Sequence, residues 1–197
     1  SPIETVTDYL GNLTTIKMCR SLSVILDRPE NEIKEALSMQ GILHRSGLLT
    51  IDRQCQSMDY KIDLLTNTFA DTLISTIASP NDYLKGVVTP SSAPELSMDD
   101  YEHIQPFIDI LQPYFSHTLK TARRGVNILI HGAPGTGKSQ FVKAFSHSLG
   151  CELFDIANED NEGDSVNGER RLRAYSLAQN FFAKRRAILF FDEVEDV

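Results

Sequence analysis

The sequence predicts an α/β domain in its second half, a parallel sheet with helices on both faces, preceded by a mainly helical unit. Three observations predict this. Residues 126–130 form a short, mostly apolar run, as a strand covered on both faces requires, and a glycine-rich turn and a helical pattern over residues 140–149 follow it. Residues 187–191 form a second apolar run, closed by the acids Asp192 and Glu193. Between the halves, Thr89-Pro90-Ser91-Ser92-Ala93-Pro94 has the composition of a linker. It places a boundary near residue 96, giving units 1–95 and 96–197.

The first unit reads as helices and a short strand. Leu13, Ile16, Cys19 and Arg20, and Ser23 and Val24, give a mixed stripe, which Leu22, Ile25 and Leu26 extend to Asp27. Pro29 then stands near the first position of a second helix. Glu30 and Glu32 suit the positive end of its dipole, and Ile33, Ala36 and Leu37 form its apolar face. Residues 41–43 and 46–51 read as a turn and a short strand. Helix, turn, helix, strand is the order of a winged helix-turn-helix, a likeness of outline. A further helix is expected over residues 60–78, with Leu64, Leu65, Phe69, Leu73 and Ile77 facing a core.

In the second unit, Phe107, Ile110, Leu111, Tyr114 and Leu119 mark a helix that Pro113 should kink or break. A later helix starts at Glu169 and is expected to turn Leu172, Tyr175 and Phe182 inward. The acidic loop of residues 159–164 reads as solvated.

The glycine-rich turn is Gly132-Ala133-Pro134-Gly135-Thr136-Gly137-Lys138-Ser139, followed by Gln140. It fits the phosphate-binding pattern G-x-x-x-x-G-K-[ST], in the strand–loop–helix setting that the mechanism needs. Glycines let the loop close tightly, so that successive N–H groups point at one anion. The N-terminus of the next helix adds partial positive charge at the same place. Lys138 would reach the β- and γ-phosphates, and the Ser139 hydroxyl would ligate Mg²⁺. Contacts to the nucleotide phosphates are therefore assigned to Gly132, Pro134, Gly135, Thr136, Gly137, Lys138, Ser139 and Gln140.

In an open parallel sheet, ligands lie at the carboxyl ends of the strands. Asp192 and Glu193 stand at such an end. Asp192 would hold the metal with Ser139, and Glu193 would activate the attacking water as a general base. Catalysis is thus expected from Glu193 and Lys138.

With these residues in place, the stretch from about residue 96 to 197 resembles the first half of an AAA-type ATPase module. The phosphate loop, the run from Ile188 to Glu193, and Glu169-Arg170-Arg171-Leu172-Arg173 carry the resemblance. It implies an α/β P-loop domain that uses ATP with Mg²⁺ and works as a ring, commonly a hexamer. Asp100-Tyr101-Glu102-His103-Ile104 resembles the family's adenine-side linker. The family's protein unfoldases carry an aromatic residue shortly before the Glu169 stretch; residues 161–168 hold none, which argues against threading by such a residue. The family's sensor strand, arginine finger and helical lid would lie beyond Val197, so the sheet is expected to stop after the Walker B strand with a gap beside it. The chain reads as a fragment, inactive by itself.

Composition narrows the classes further. Net charge is −8, and each half contributes −4, with 12 acids against 8 bases in residues 1–98. Neither half is a basic module, which argues against nucleic acid as the main partner. The second helix shows Glu30, Glu32 and Glu35 against Lys34, a face that phosphates would repel. Three widely spaced cysteines, Cys19, Cys55 and Cys151, form neither a zinc signature nor a disulfide framework, in keeping with a cytoplasmic protein. No run approaches the length of a membrane span. The leading expectation is an ATPase that remodels a protein partner. A nucleotide-gated switch and a DNA-acting ATPase remain alternatives.

Overall fold

The computed structural model describes residues 14–55, 61–66, 72, 80–121, 123, 125–160 and 163–194. Helix α1, Thr15–Leu26, starts where the Thr14 hydroxyl accepts from the Lys17 N–H at 3.3 Å. It stops at Asp27, whose φ of 50° leaves the right-handed helical region. Helix α2, Glu30–Ala36, follows Pro29, and the Lys34 ammonium beside Glu30, at 2.6 Å, holds that carboxyl below its usual range. Met18, Cys19 and Ile33 form the small core of this region, with Leu22, Leu37, Ile51 and Ile62 packed against it.

The expected turn at residues 41–43 opens a short helix, α3, Ile42–Arg45. Strand β1, Leu49–Ile51, pairs antiparallel with β2, Ile62–Leu64, with Leu49 opposite Leu64. The helix expected over residues 60–78 is therefore wrong at its start. Ile62 and Leu64 recur at spacing two, the period of a strand, while Leu64-Leu65 alone fits a helix. Phe69, Leu73 and Ile77 lie outside the described residues.

The second sheet has the order β3–β4–β5, with β3 at Val88–Pro90, β4 at Glu152–Ile156 and β5 at Ala187–Phe190. β4 runs parallel to β5 and antiparallel to β3, so the sheet is mixed rather than parallel throughout. The antiparallel strand comes from the start of the expected linker. Pro90 is tolerated there because β3 is an edge strand and Pro has no N–H to donate inward.

Residues 126–130 join no ladder among the described residues. They carry no regular secondary structure, and Leu129 is 72% exposed. An apolar run becomes a buried strand only where a neighbour accepts its hydrogen bonds. β5 has β4 on one side and, among the described residues, no strand on the other. The Tyr175 hydroxyl donates to Asn127 Oδ1 at 2.8 Å, which ties the run to the next layer.

The main core draws on both sides of residue 96. Leu65, Leu84, Val87 and Val88 pack with Phe154, Ile156, Leu177 and Phe182, and the Phe154 and Phe182 rings stack with centroids 4.1 Å apart. Helix α4, Gln105–Thr121, runs unbroken through Pro113. Pro113 and Asp109 are both exposed, so the carbonyl that Pro cannot serve faces water. Helix α5, Lys138–Ser148, packs Phe141, Ala144 and Phe145 against Tyr101 and Ile108.

Helix α6, Gly168–Phe181, is capped by Asn167, whose side chain accepts from the Arg170 N–H at 2.8 Å. Its inward face differs from the expected one. Leu172 is 49% exposed, while Arg171, Ala174, Leu177 and Ala178 are buried. Phe182 is buried as expected, and Tyr175 partly so.

The neighbouring arginines of α6 grip the β1–β2 hairpin. Arg173 pairs with the Asp63 carboxylate and donates to Asp63 O at 3.0 Å and Gly47 O at 3.2 Å. Arg170 donates to Leu65 O at 2.5 Å. Gly47, at φ 80°, lies so close that a Cβ would stand 2.4 Å from Arg173 O.

Truncation of a stacked ring tests the shared core. Phe154→Ala is expected to cost about 3–5 kcal/mol, read as a lower denaturant midpoint with an unchanged slope. A loss below about 1 kcal/mol would mean that this core does not hold the sheet to α6.

Candidate functional site

The phosphate loop is built from its turn residues. Gly135 at φ 76° and Gly137 at φ 83° occupy the left-handed region that glycine enters without steric cost. The Thr136 hydroxyl donates to Ala133 O at 2.8 Å and pins the turn. Gly137 is the cap residue of α5, so the helix begins at Lys138 and its first N–H groups open onto the loop.

Lys138 lies across this loop. Its ammonium donates to Gly132 O at 3.0 Å and Ala133 O at 3.1 Å. Tyr101, buried in the short 3-10 helix Met98–Ile104, donates through its hydroxyl to Gly137 O at 3.3 Å. Burial pushes that phenol's pKa up and keeps it neutral. Gln140 Oε1 accepts from the Glu95 N–H at 3.2 Å, fastening the preceding linker to α5.

The acids arrive from β5. The Ser139 hydroxyl donates to Asp192 Oδ2 at 2.8 Å, across 53 residues of sequence. Asp192 Oδ1 accepts from the Glu193 N–H at 3.1 Å. The two oxygen-bearing side chains assigned to the metal are thus in contact. Glu193 has φ 53°, rare for a residue with a Cβ. It lines a polar cavity of about 360 Å³ together with Asn158, Glu159, Ser165, Asn167 and Arg171.

Arg171 is the functional neighbour that sequence reasoning missed. It is 2% exposed. Its guanidinium donates to Asp192 O and, at 3.1 Å, to Glu193 O, and it lies 4.2 Å from the centre of the Phe191 ring. The available signal was its place three residues before Ala174 and seven before Ala178, on the buried stripe. A second unforeseen neighbour is Asp155 on β4, whose carboxyl is pushed up by burial, against the pull of Lys143.

The donor set fits magnesium. No cluster of three or more His, Cys, Asp or Glu side chains able to hold a metal occurs among the described residues. A hydroxyl and one carboxylate in contact are what Mg²⁺ takes from a protein when phosphate oxygens and water complete its shell. No helix among the described residues is long and apolar enough to cross a membrane.

Comparison with known proteins agrees with this geometry. The model of the ATPase family associated with various cellular activities (AAA) matches residues 128–197. The replication factor C large subunit of Nanoarchaeum equitans is 31% identical over 99 residues, covering 50% of this chain and 22% of that protein. The putative ribosome biogenesis ATPase nvl of Dictyostelium discoideum is 37% identical over 101 residues, 50% of this chain and 11% of that protein. The ATP-dependent zinc metalloprotease FTSH 11, chloroplastic/mitochondrial, of Arabidopsis thaliana is 30% identical over 134 residues, 62% of this chain and 16% of that protein. The chain thus spans less than a quarter of the length of each of these relatives. No solved structure matches it significantly. The phosphate loop and the paired acids both lie inside the stretch, residues 128–197, that matches the AAA family model.

Proposed function

We propose that the protein carrying this segment binds ATP, hydrolyses it with Mg²⁺ and releases ADP, and couples this cycle to the remodelling of a protein partner. The observation that carries the reading is the 2.8 Å contact between Ser139 and Asp192. The contact joins the Ser139 hydroxyl, beside the phosphate loop, to the acid that follows another strand, which supports a shared role in holding a metal.

The chain's own groups divide the work. The amides of residues 135–139 and the N-terminus of α5 face the phosphate chain. Lys138 exchanges its two carbonyl partners for phosphate oxygens, since a charged acceptor holds an ammonium more strongly than a neutral one. Ser139 and Asp192 would hold Mg²⁺, which would supply neutralisation of phosphate charge. Glu193 takes the proton of the attacking water at its carboxylate, on the side of the polar cavity. Tyr101, packed beneath Gly137, keeps the start of α5 in place.

The relatives' names refer to replication, ribosome biogenesis and proteolysis. Processes so unlike support the shared nucleotide chemistry and leave the substrate open. A protein partner is favoured over nucleic acid by the net charge of −8. Assembly as a ring, with a neighbour supplying an arginine, completes the proposal for a cytoplasmic enzyme. By the same reasoning these 197 residues bind nucleotide yet turn it over poorly.

Two experiments test this. In the intact protein, Glu193→Gln should cut steady-state ATP turnover at least about 100-fold while ATP affinity changes little. Equal turnover in variant and wild type would remove Glu193 from its role, whereas an intact wild-type protein that binds ATP with little steady-state turnover would favour a nucleotide-gated switch. The 197-residue polypeptide alone should hydrolyse ATP about 10³-fold or more slowly than the intact protein, the scale of a missing arginine finger. Matching rates would show that these residues suffice.

A further inference from the structure

We propose that Arg171 is a positioning residue, which holds the turn Asp192-Glu193 and thereby aims the Glu193 carboxylate. The inference rests on the ATPase reading above and names how its general base is kept in place.

Glu193 sits at φ 53°. There its Cβ crowds the following carbonyl, and a residue with a side chain stays only where the surroundings oblige it to. Three contacts from one side chain provide that obligation. Arg171 donates to Asp192 O and, at 3.1 Å, to Glu193 O, the carbonyls on either side of the Glu193 N–Cα bond. Its plane also packs on Phe191, 4.2 Å from the ring centre. Only the fork of a guanidinium can serve two adjacent carbonyls and an aromatic face at once.

The burial is as informative as the contacts. Arg171 is 2% exposed, and its acceptors are neutral carbonyls rather than a carboxylate. Its Nε has no hydrogen-bond partner among the described residues. A buried charge with a spare donor is a poor way to fill a core, since an apolar residue of similar size often packs as well or better. Its place is better explained by the turn it grips. Arg171 and Glu193 also both line the polar cavity.

The alternative is ordinary packing between α6 and β5. Arg171→Met keeps the length and volume of the side chain and removes the fork. Arg171→Lys keeps a charge that can serve one carbonyl at a time. Both are compared with wild type in the intact protein, for kcat and KM of ATP hydrolysis and for the denaturant midpoint. Arg171→Met should lower kcat about 30- to 100-fold, the scale of a misplacement of about 1 Å at a reacting group, with KM within about threefold. Arg171→Lys should fall between. In a Glu193→Gln background, Arg171→Met should cost less than about threefold more, because the group it aims is already disabled. A kcat within about threefold of wild type in a folded Arg171→Met protein would overturn the proposal, and so would full multiplicative losses in the double variant. If wild type itself shows no turnover, the ATPase reading fails on its own account. A crystal structure of Arg171→Met then decides the holding role: a Glu193 φ returned to negative values supports it, and one still near +53° overturns it.

Discussion

Ser139 Oγ and Asp192 Oδ2 stand 2.8 Å apart because two separate pieces of folding bring them there. One is local: the glycines of the loop let α5 begin at Lys138, which fixes where Ser139 points. The other is long-range: β5 must lie parallel to β4, so that its carboxyl end comes to the loop. The core of Phe154, Ile156, Leu177 and Phe182 holds that strand pair against α6. Remove either piece and the Ser139 hydroxyl and the Asp192 carboxylate no longer meet.

The start of α6 occupies an unusual place in this arrangement. Arg170 and Arg173 reach back to Asp63, Leu65 and Gly47 of the β1–β2 hairpin, while Arg171 between them faces β5. Neighbouring helix residues point about 100° apart, so three arginines in four positions can serve two sides of one helix. The N-terminal region is thus tied to the helix that also meets the Asp192-Glu193 turn. β3 reinforces the tie by adding Val88–Pro90 to the sheet.

Much of the site was legible in the sequence because its chemistry is local. A phosphate loop needs its glycines, Lys138 and Ser139 within eight residues, and a paired acid needs only an apolar run before it. The sheet was less legible. Residues 126–130 have a strand's composition, yet pairing depends on a neighbour, and composition does not say whether one is present. β4 and β3 were missed because Glu152–Ile156 holds two acids among its five residues, with no period-two alternation, and Val88–Pro90 contains a proline that only an edge position tolerates. The face of α6 was misjudged because a leucine beside an arginine reads as the inward residue. The carbonyls of Asp192 and Glu193 reverse that preference, and they come from a strand end that no helical periodicity reports.

The account stands on a triphosphate and a divalent cation meeting between the loop and the strand end. Calorimetric titration of the intact protein with ATP, with and without magnesium, tests this most directly when Lys138→Ala is run beside wild type. The account predicts uptake that depends on magnesium and is lost in the variant. Uptake indifferent to both the metal and Lys138, or no uptake at all, would contradict it.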